Sequence, residues 1–150
     1  MTYSALEIAR KLIIRASDDE ANGGELMTNL KLQKMLYYEN GYHLAVFDEP
    51  LIDEPIEAWI YGPVVSKVYD LYNKSGSDGL DKEPGEKEVT LTDEEEKLFS
   101  EVFDAYKPFS AIGLMQKTHS EDPWQNALPH DRGTVISNKA MTYFFKRKLA

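Results

Sequence analysis

Residues 28–47 read TNLKLQKMLYYENGYHLAVF, and their spacing decides the fold. Thr28 is a hydroxyl at the head of the stretch, suited to cap a helix. Leu32, Met35, Leu36 and Val46 recur at helical intervals and mark a buried side. Lys31, Lys34 and Tyr38 fall on another side by the three-and-four rule. The spacing predicts a helix from about Thr28 to about Val46. The same period appears upstream. Ser4 and Glu7 form a capping box, followed by Leu6, Ala9, Leu12, Ile13 and Ala16 at helical spacing. SDDEANGGEL (17–26) breaks that helix at Asn22, Gly23 and Gly24.

Downstream the pattern changes. Pro50, Pro55 and Pro63 forbid one continuous helix. Ile56, Ala58 and Ile60 alternate with Glu57, Trp59 and Tyr61, the period of a short strand in a small sheet or at an edge. Gly62-Pro63 reads as a helix start with proline in its first turn, and Val65, Val68, Tyr69 and Tyr72 as its apolar stripe. Residues 75–90, SGSDGLDKEPGEKEVT, are rich in glycine and acid and read as a mobile loop. Thr92 and Glu95 make a second capping box, before a helix bearing Phe99, Val102, Phe103 and Tyr106. Ser110 caps a short helix with Ile112, Leu114, Met115 and Thr118. Thr134–Ile136 read as a small strand able to pair with 56–60. Ser137 caps a last helix with Met141, Phe144 and Phe145 inward. The expected fold is mainly α (α+β): a single compact domain over residues 1–150, of about six helices with a small two- or three-stranded sheet.

Composition narrows the chemistry. The chain has 150 residues, 42% of them hydrophobic, with nine tyrosines, enough for a core without a metal or disulfide staple. No cysteine is present, which removes disulfides, thiol catalysis and thiolate metal sites. The first residues lack the apolar run of a signal peptide, and no stretch approaches a membrane span. A cytoplasmic location is expected. The net charge of −9 opposes phosphate backbones, so neither nucleic acid nor membrane is an expected partner.

The three histidines, His43, His119 and His130, form no His-Glu-x-x-His pattern. Neither a nucleophile elbow nor a phosphate-binding glycine loop occurs. No metal, cofactor or enzymatic activity is expected. THSEDPW (118–124) admits an acid–base reading through His119 and nearby acids. It also admits a structural one, with Ser120 or Asp122 capping a short helix, Pro123 in its first turn and Trp124 as an anchor. LKLQKMLYY (30–38) offers a basic and aromatic face in an acidic protein, either a partner site or solvated lysines.

Three stretches, 28–47, DEPIEAWIYGPVVSKVY (53–69) and THSEDPW (118–124), follow in an order and spacing that resembles the Panacea domain. The resemblance covers roughly residues 4–145. Met35 stands where that family usually has Leu, and Tyr42 where Trp is common; both keep apolar bulk. The resemblance implies an antitoxin, similar to phage- and mobile-element-associated proteins and to SocA-like protease adaptors. Such a protein binds a toxin encoded by a neighbouring gene, and in the adaptor case delivers it to a AAA+ protease. The family has no established catalytic residues. The positions carried over as binding or structural candidates are Lys31, Gln33, Lys34, Tyr37, His43, Trp59, Gly62, Pro63, His119, Asp122, Pro123 and Trp124.

Overall fold

A computed structural model describes residues 1–20 and 24–150. Asn22 and Gly23, named above as helix breakers, lie outside the described residues. The order is α1 (Ala5–Glu20), α2 (Asn29–Phe47), β1 (Ile56–Trp59), β2 (Gly62–Val64), α3 (Ser66–Tyr72), α4 (Asp93–Tyr106), α5 (Ala111–His119), α6 (Asp122–Gln125), β3 (Val135–Ile136) and α7 (Asn138–Leu149). A 3₁₀ turn, Asn73–Ser75, follows α3. The fold is mainly helical with a small antiparallel sheet of order β2-β1-β3.

Helix starts follow their caps. Thr28 Oγ1 accepts from Lys31 N, Ser110 Oγ from Gly113 N and Ser137 Oγ from Ala140 N. Thr92 and Glu95 complete a reciprocal capping box. Each bond satisfies an amide that the first helical turn leaves without a partner.

The axis of the molecule is α2. It is buried on nearly every side, because α1, α4, α5 and α7 all pack against it. Gly41 lets α7 approach closely: a Cβ there would lie 2.1 Å from the Phe145 ring. Around this contact the tyrosines form an aromatic core. Tyr38 stacks on Tyr106 with centroids 4.0 Å apart, and the Tyr42 and Tyr106 hydroxyls are 2.7 Å apart. Asn40 closes the far end, its Oδ1 accepting from Leu51 N at 2.9 Å. A helix so largely enclosed leaves little room for a solvated lysine face. Lys34 and Tyr38, expected on an accessible side, are fully buried, whereas Val46, expected inside, is exposed. Ile112 and Leu6 also face outward.

The stretch at Gly62-Pro63 corrects the sequence expectation. It opens no helix; it is β2, paired Ala58↔Pro63 and Trp59↔Gly62. Pro63 is tolerated because β2 is an edge strand, and β1 is the central one. β3 pairs Ile56↔Ile136 and Glu57↔Val135, as alternation predicts. The hairpin turns on only two residues, Ile60 and Tyr61. Neither has a positive φ, which excludes the primed turns; the left-handed requirement falls instead on Gly62, at φ 111°.

Residues 76–91 hold no helix, yet they are strapped to α1. Lys11, fully buried, donates to Glu88 (2.8 Å), Val89 O (2.8 Å) and Glu96 (2.6 Å). Arg15 bonds both Glu88 and Glu96, and Arg10 pairs with Glu86. The basic row of α1 thus neutralises the acidic loop, and Leu80 bridges to Met27. Among the described residues, no helix is long and apolar enough to cross a membrane.

Candidate functional site

The three motif stretches meet around the β1–β2 hairpin. From α2, Gln33 Oε1 accepts from Val65 N at 2.9 Å, just beyond β2. Its amide nitrogen donates to Asn29 Oδ1 at 2.9 Å, and Asn29 in turn donates to Tyr69 O. Both ends of the buried amide are therefore satisfied. One residue on, Lys34 donates to Pro63 O at 3.2 Å. Its methylenes run under Gly62, where a Cβ would lie 2.8 Å from Lys34 Cε and 2.9 Å from Thr118 Oγ1.

From the other side, Trp124 Nε1 donates to Trp59 O at 2.7 Å. The Trp124 ring lies between two imidazoles, with centroids 4.0 Å from His119 and 3.5 Å from His130. His130 Nε2 donates to Trp124 O at 2.8 Å. Trp59 meets Tyr69 edge to face, and its indole N–H donates to Glu57 Oε1, which also accepts from Gly133 N. Pro123 is buried in the first turn of α6. THSEDPW is thus a brace beneath the hairpin, and no described carboxylate is bonded to the His119 ring.

Burial sets the electrostatics. Among the described residues the Lys34 ammonium bonds only a neutral carbonyl, that of Pro63, and desolvation brings its pKa down to about 7. The His119 imidazole is likewise pushed down by desolvation, and Lys34 and His130 add to this. At Glu57 burial raises the carboxyl, but bonds from Trp59 and Gly133 outweigh it and hold it below the usual range. A cavity of about 210 Å³ opens beside the hairpin, walled by Gln33, Lys34, Trp59, Tyr61 and Tyr69.

Not every candidate joins this assembly. Tyr37 reaches it indirectly: its hydroxyl and that of Tyr38 donate to Glu121, at 3.0 and 3.1 Å. Lys31 lies elsewhere and donates to Lys107 O at 2.6 Å. His43 sits near the opposite end of α2, bonded to Glu49 O and Glu95. Asp122 is exposed, its carboxylate 3.8 Å from Arg147. The sequence reading missed Glu121, the acid of THSEDPW that is buried. Desolvation raises its carboxyl pKa against the two tyrosine bonds. Its neighbour Asp122 carries the same charge in the sequence, and nothing local separates them.

Facing outward, the hairpin presents its two turn residues. Ile60 is 65% and Tyr61 63% exposed. Leu128 and Tyr143 are as exposed, at 70% and 67%, but Ile60 and Tyr61 are adjacent and held on a turn.

A 50-residue segment is 40% identical to Antitoxin SocA of Caulobacter vibrioides (strain NA1000 / CB15N), covering 33% of this chain and 27% of that protein. The match therefore spans about a quarter of that relative's length. No solved structure matches the chain. The family model described as "Antitoxin SocA-like, Panacea domain" matches residues 32–125, well over half the chain. That span contains Lys34 of α2, the whole hairpin and the brace that supports it, and the chain belongs to the SocA-like Panacea-domain family.

Proposed function

We propose that this protein is an antitoxin that neutralises a protein toxin by direct binding, and that the tip of the β1–β2 hairpin contacts the toxin. The observation that carries this reading is the direction of the motif side chains. Gln33, Lys34, His119 and Trp124 point inward and hold the hairpin, while Ile60 and Tyr61 stand in solvent. A turn fixed at its base loses little conformational freedom on binding. Tyrosine on such a turn suits a central contact. The net charge of −9 favours approach to a basic partner, and the toxin is expected from a neighbouring gene in the same cytoplasm.

Delivery of the toxin to a AAA+ protease is a second reading, because an adaptor needs a second surface. The end of α7 offers one, with Tyr143 and Leu149 exposed among Lys146, Arg147 and Lys148. Cargo half-life in the presence of purified protease separates delivery from blocking.

The test is co-expression with the product of the neighbouring gene. Wild-type protein is expected to restore growth. The double variant Ile60→Asp, Tyr61→Asp is expected to lose rescue and co-purification while its melting temperature stays within a few degrees of wild type. Rescue by that variant would place the contact elsewhere. A neighbouring product that is harmless alone would remove the antitoxin reading.

A further inference from the structure

His43 is buried near the far end of α2 from the hairpin, and the toxin-binding reading makes no use of it. Its Nδ1 lies 2.6 Å from Glu49 O. A carbonyl only accepts, so Nδ1 carries the hydrogen. That leaves the Nε2 lone pair directed at Glu95 Oε2, 2.5 Å away. Two acceptors at that separation need a proton or a metal cation between them. Glu95 is held in place through its other oxygen, which accepts from Tyr3 OH at 2.8 Å and Thr92 N at 3.1 Å. Ligand atoms of His43, Glu49 and Glu95 all lie within 4.8 Å of one another. The arrangement has the outer support that metal-ligating residues ordinarily show: an imidazole oriented by a carbonyl and a carboxylate fixed by donors.

We propose that His43 Nε2, Glu95 Oε2 and the Glu49 carboxylate form a binding site for a first-row divalent cation, with zinc the best fit. Imidazole nitrogen and carboxylate oxygen are both zinc donors, and three protein ligands leave the fourth tetrahedral position open. At zinc–ligand distances of about 2.0–2.2 Å, the His43 and Glu95 atoms would separate by less than about 1 Å. Glu49 is half-exposed, so an ion can reach the site from solvent. The Met1 amine also lies against Glu49 and at 3.2 Å from Glu95 Oε2. It is the rival cation, along with a proton on the imidazole. The sequence reading finds no metal pattern because the ligands sit at positions 43, 49 and 95, joined by the α2–α4 packing rather than by a local motif.

The test uses the full chain, stripped with a chelator and titrated with zinc chloride by calorimetry. Bound metal is counted after gel filtration, and the imidazole nitrogens are followed by NMR. The expected result is one zinc per chain, a shift of the His43 Nε2 resonance, and at least tenfold weaker binding in Glu49→Gln. That variant changes a residue outside the core, so it keeps the fold that His43→Ala endangers. Absence of retained zinc, or equal affinity in Glu49→Gln, would overturn the site and leave His43–Glu95 as a proton-bridged or amine-bridged pair.

Discussion

Gly62→Ala is expected to cost about 3 kcal/mol of stability, combining backbone strain at a positive φ with overpacking. In a chain of this size that lowers the melting temperature by roughly 10 °C. Two terms act together. The backbone at φ 111° is one that L side chains rarely adopt, and the added Cβ would meet Lys34 and Thr118 inside 3 Å. Neither neighbour yields readily: Lys34 and Thr118 are both fully buried. Gly133 is the control. Its φ is 95°, and a Cβ there would meet nothing within 4 Å. Gly133→Ala should therefore show the strain alone, about 1–2 kcal/mol. Denaturant unfolding of both variants checks the difference. Equal losses would mean that the lysine does not pack under the turn.

Lys34→Met is expected to stabilise the protein at neutral pH and to flatten its pH dependence. Burial takes the Lys34 pKa from an ordinary 10.5 to about 7. Between those values the unfolded chain holds a proton that the folded chain does not, so stability rises with pH across that window. Below pH 7 both states are charged, and the folded state bears the full cost of the buried ammonium. From pH 7 to 9.5 wild type should gain about 3 kcal/mol relative to the methionine variant. Comparing the two proteins cancels tyrosines and other groups common to both. Methionine keeps the volume and removes the charge. The checking measurement is unfolding free energy of the pair at four or five pH values. A constant difference would show that the lysine stays charged in the fold.

Much of the architecture is legible from short-range chemistry. Thr28, Ser110, Ser137 and the Thr92–Glu95 box announce helix starts by composition alone, and the structure bears each out. The pairing of residues near 56 with those near 136 follows from alternation. What local rules miss is the burial of the polar side of α2. Its polar residues Lys34, Glu39, Asn40 and His43 are all buried. Their partners come from loops and helices far along the chain, which no helical period encodes. Gly62-Pro63 fails for a related reason. A glycine followed by proline suits a helix start as well as an edge strand, and only its pairing with Ala58 and Trp59 decides. The family motifs name residues, but letters alone do not tell a contact from a support. Lys34 and Gln33 carry polar groups that look available; in the fold their bonds close on Pro63 and Val65.

The central claim is that the motif supports a hairpin and the hairpin tip meets the partner. Amide hydrogen exchange of the protein alone and in complex with the proposed toxin partner tests it most directly. Slowed exchange in the complex is predicted at Ile60 and Tyr61. Ala58 and Val65 should change little, because their amides are already bonded to Thr134 O and Gln33. Protection confined to the 76–91 loop or to α7, with the turn at 60–61 exchanging as in the free protein, would contradict the account.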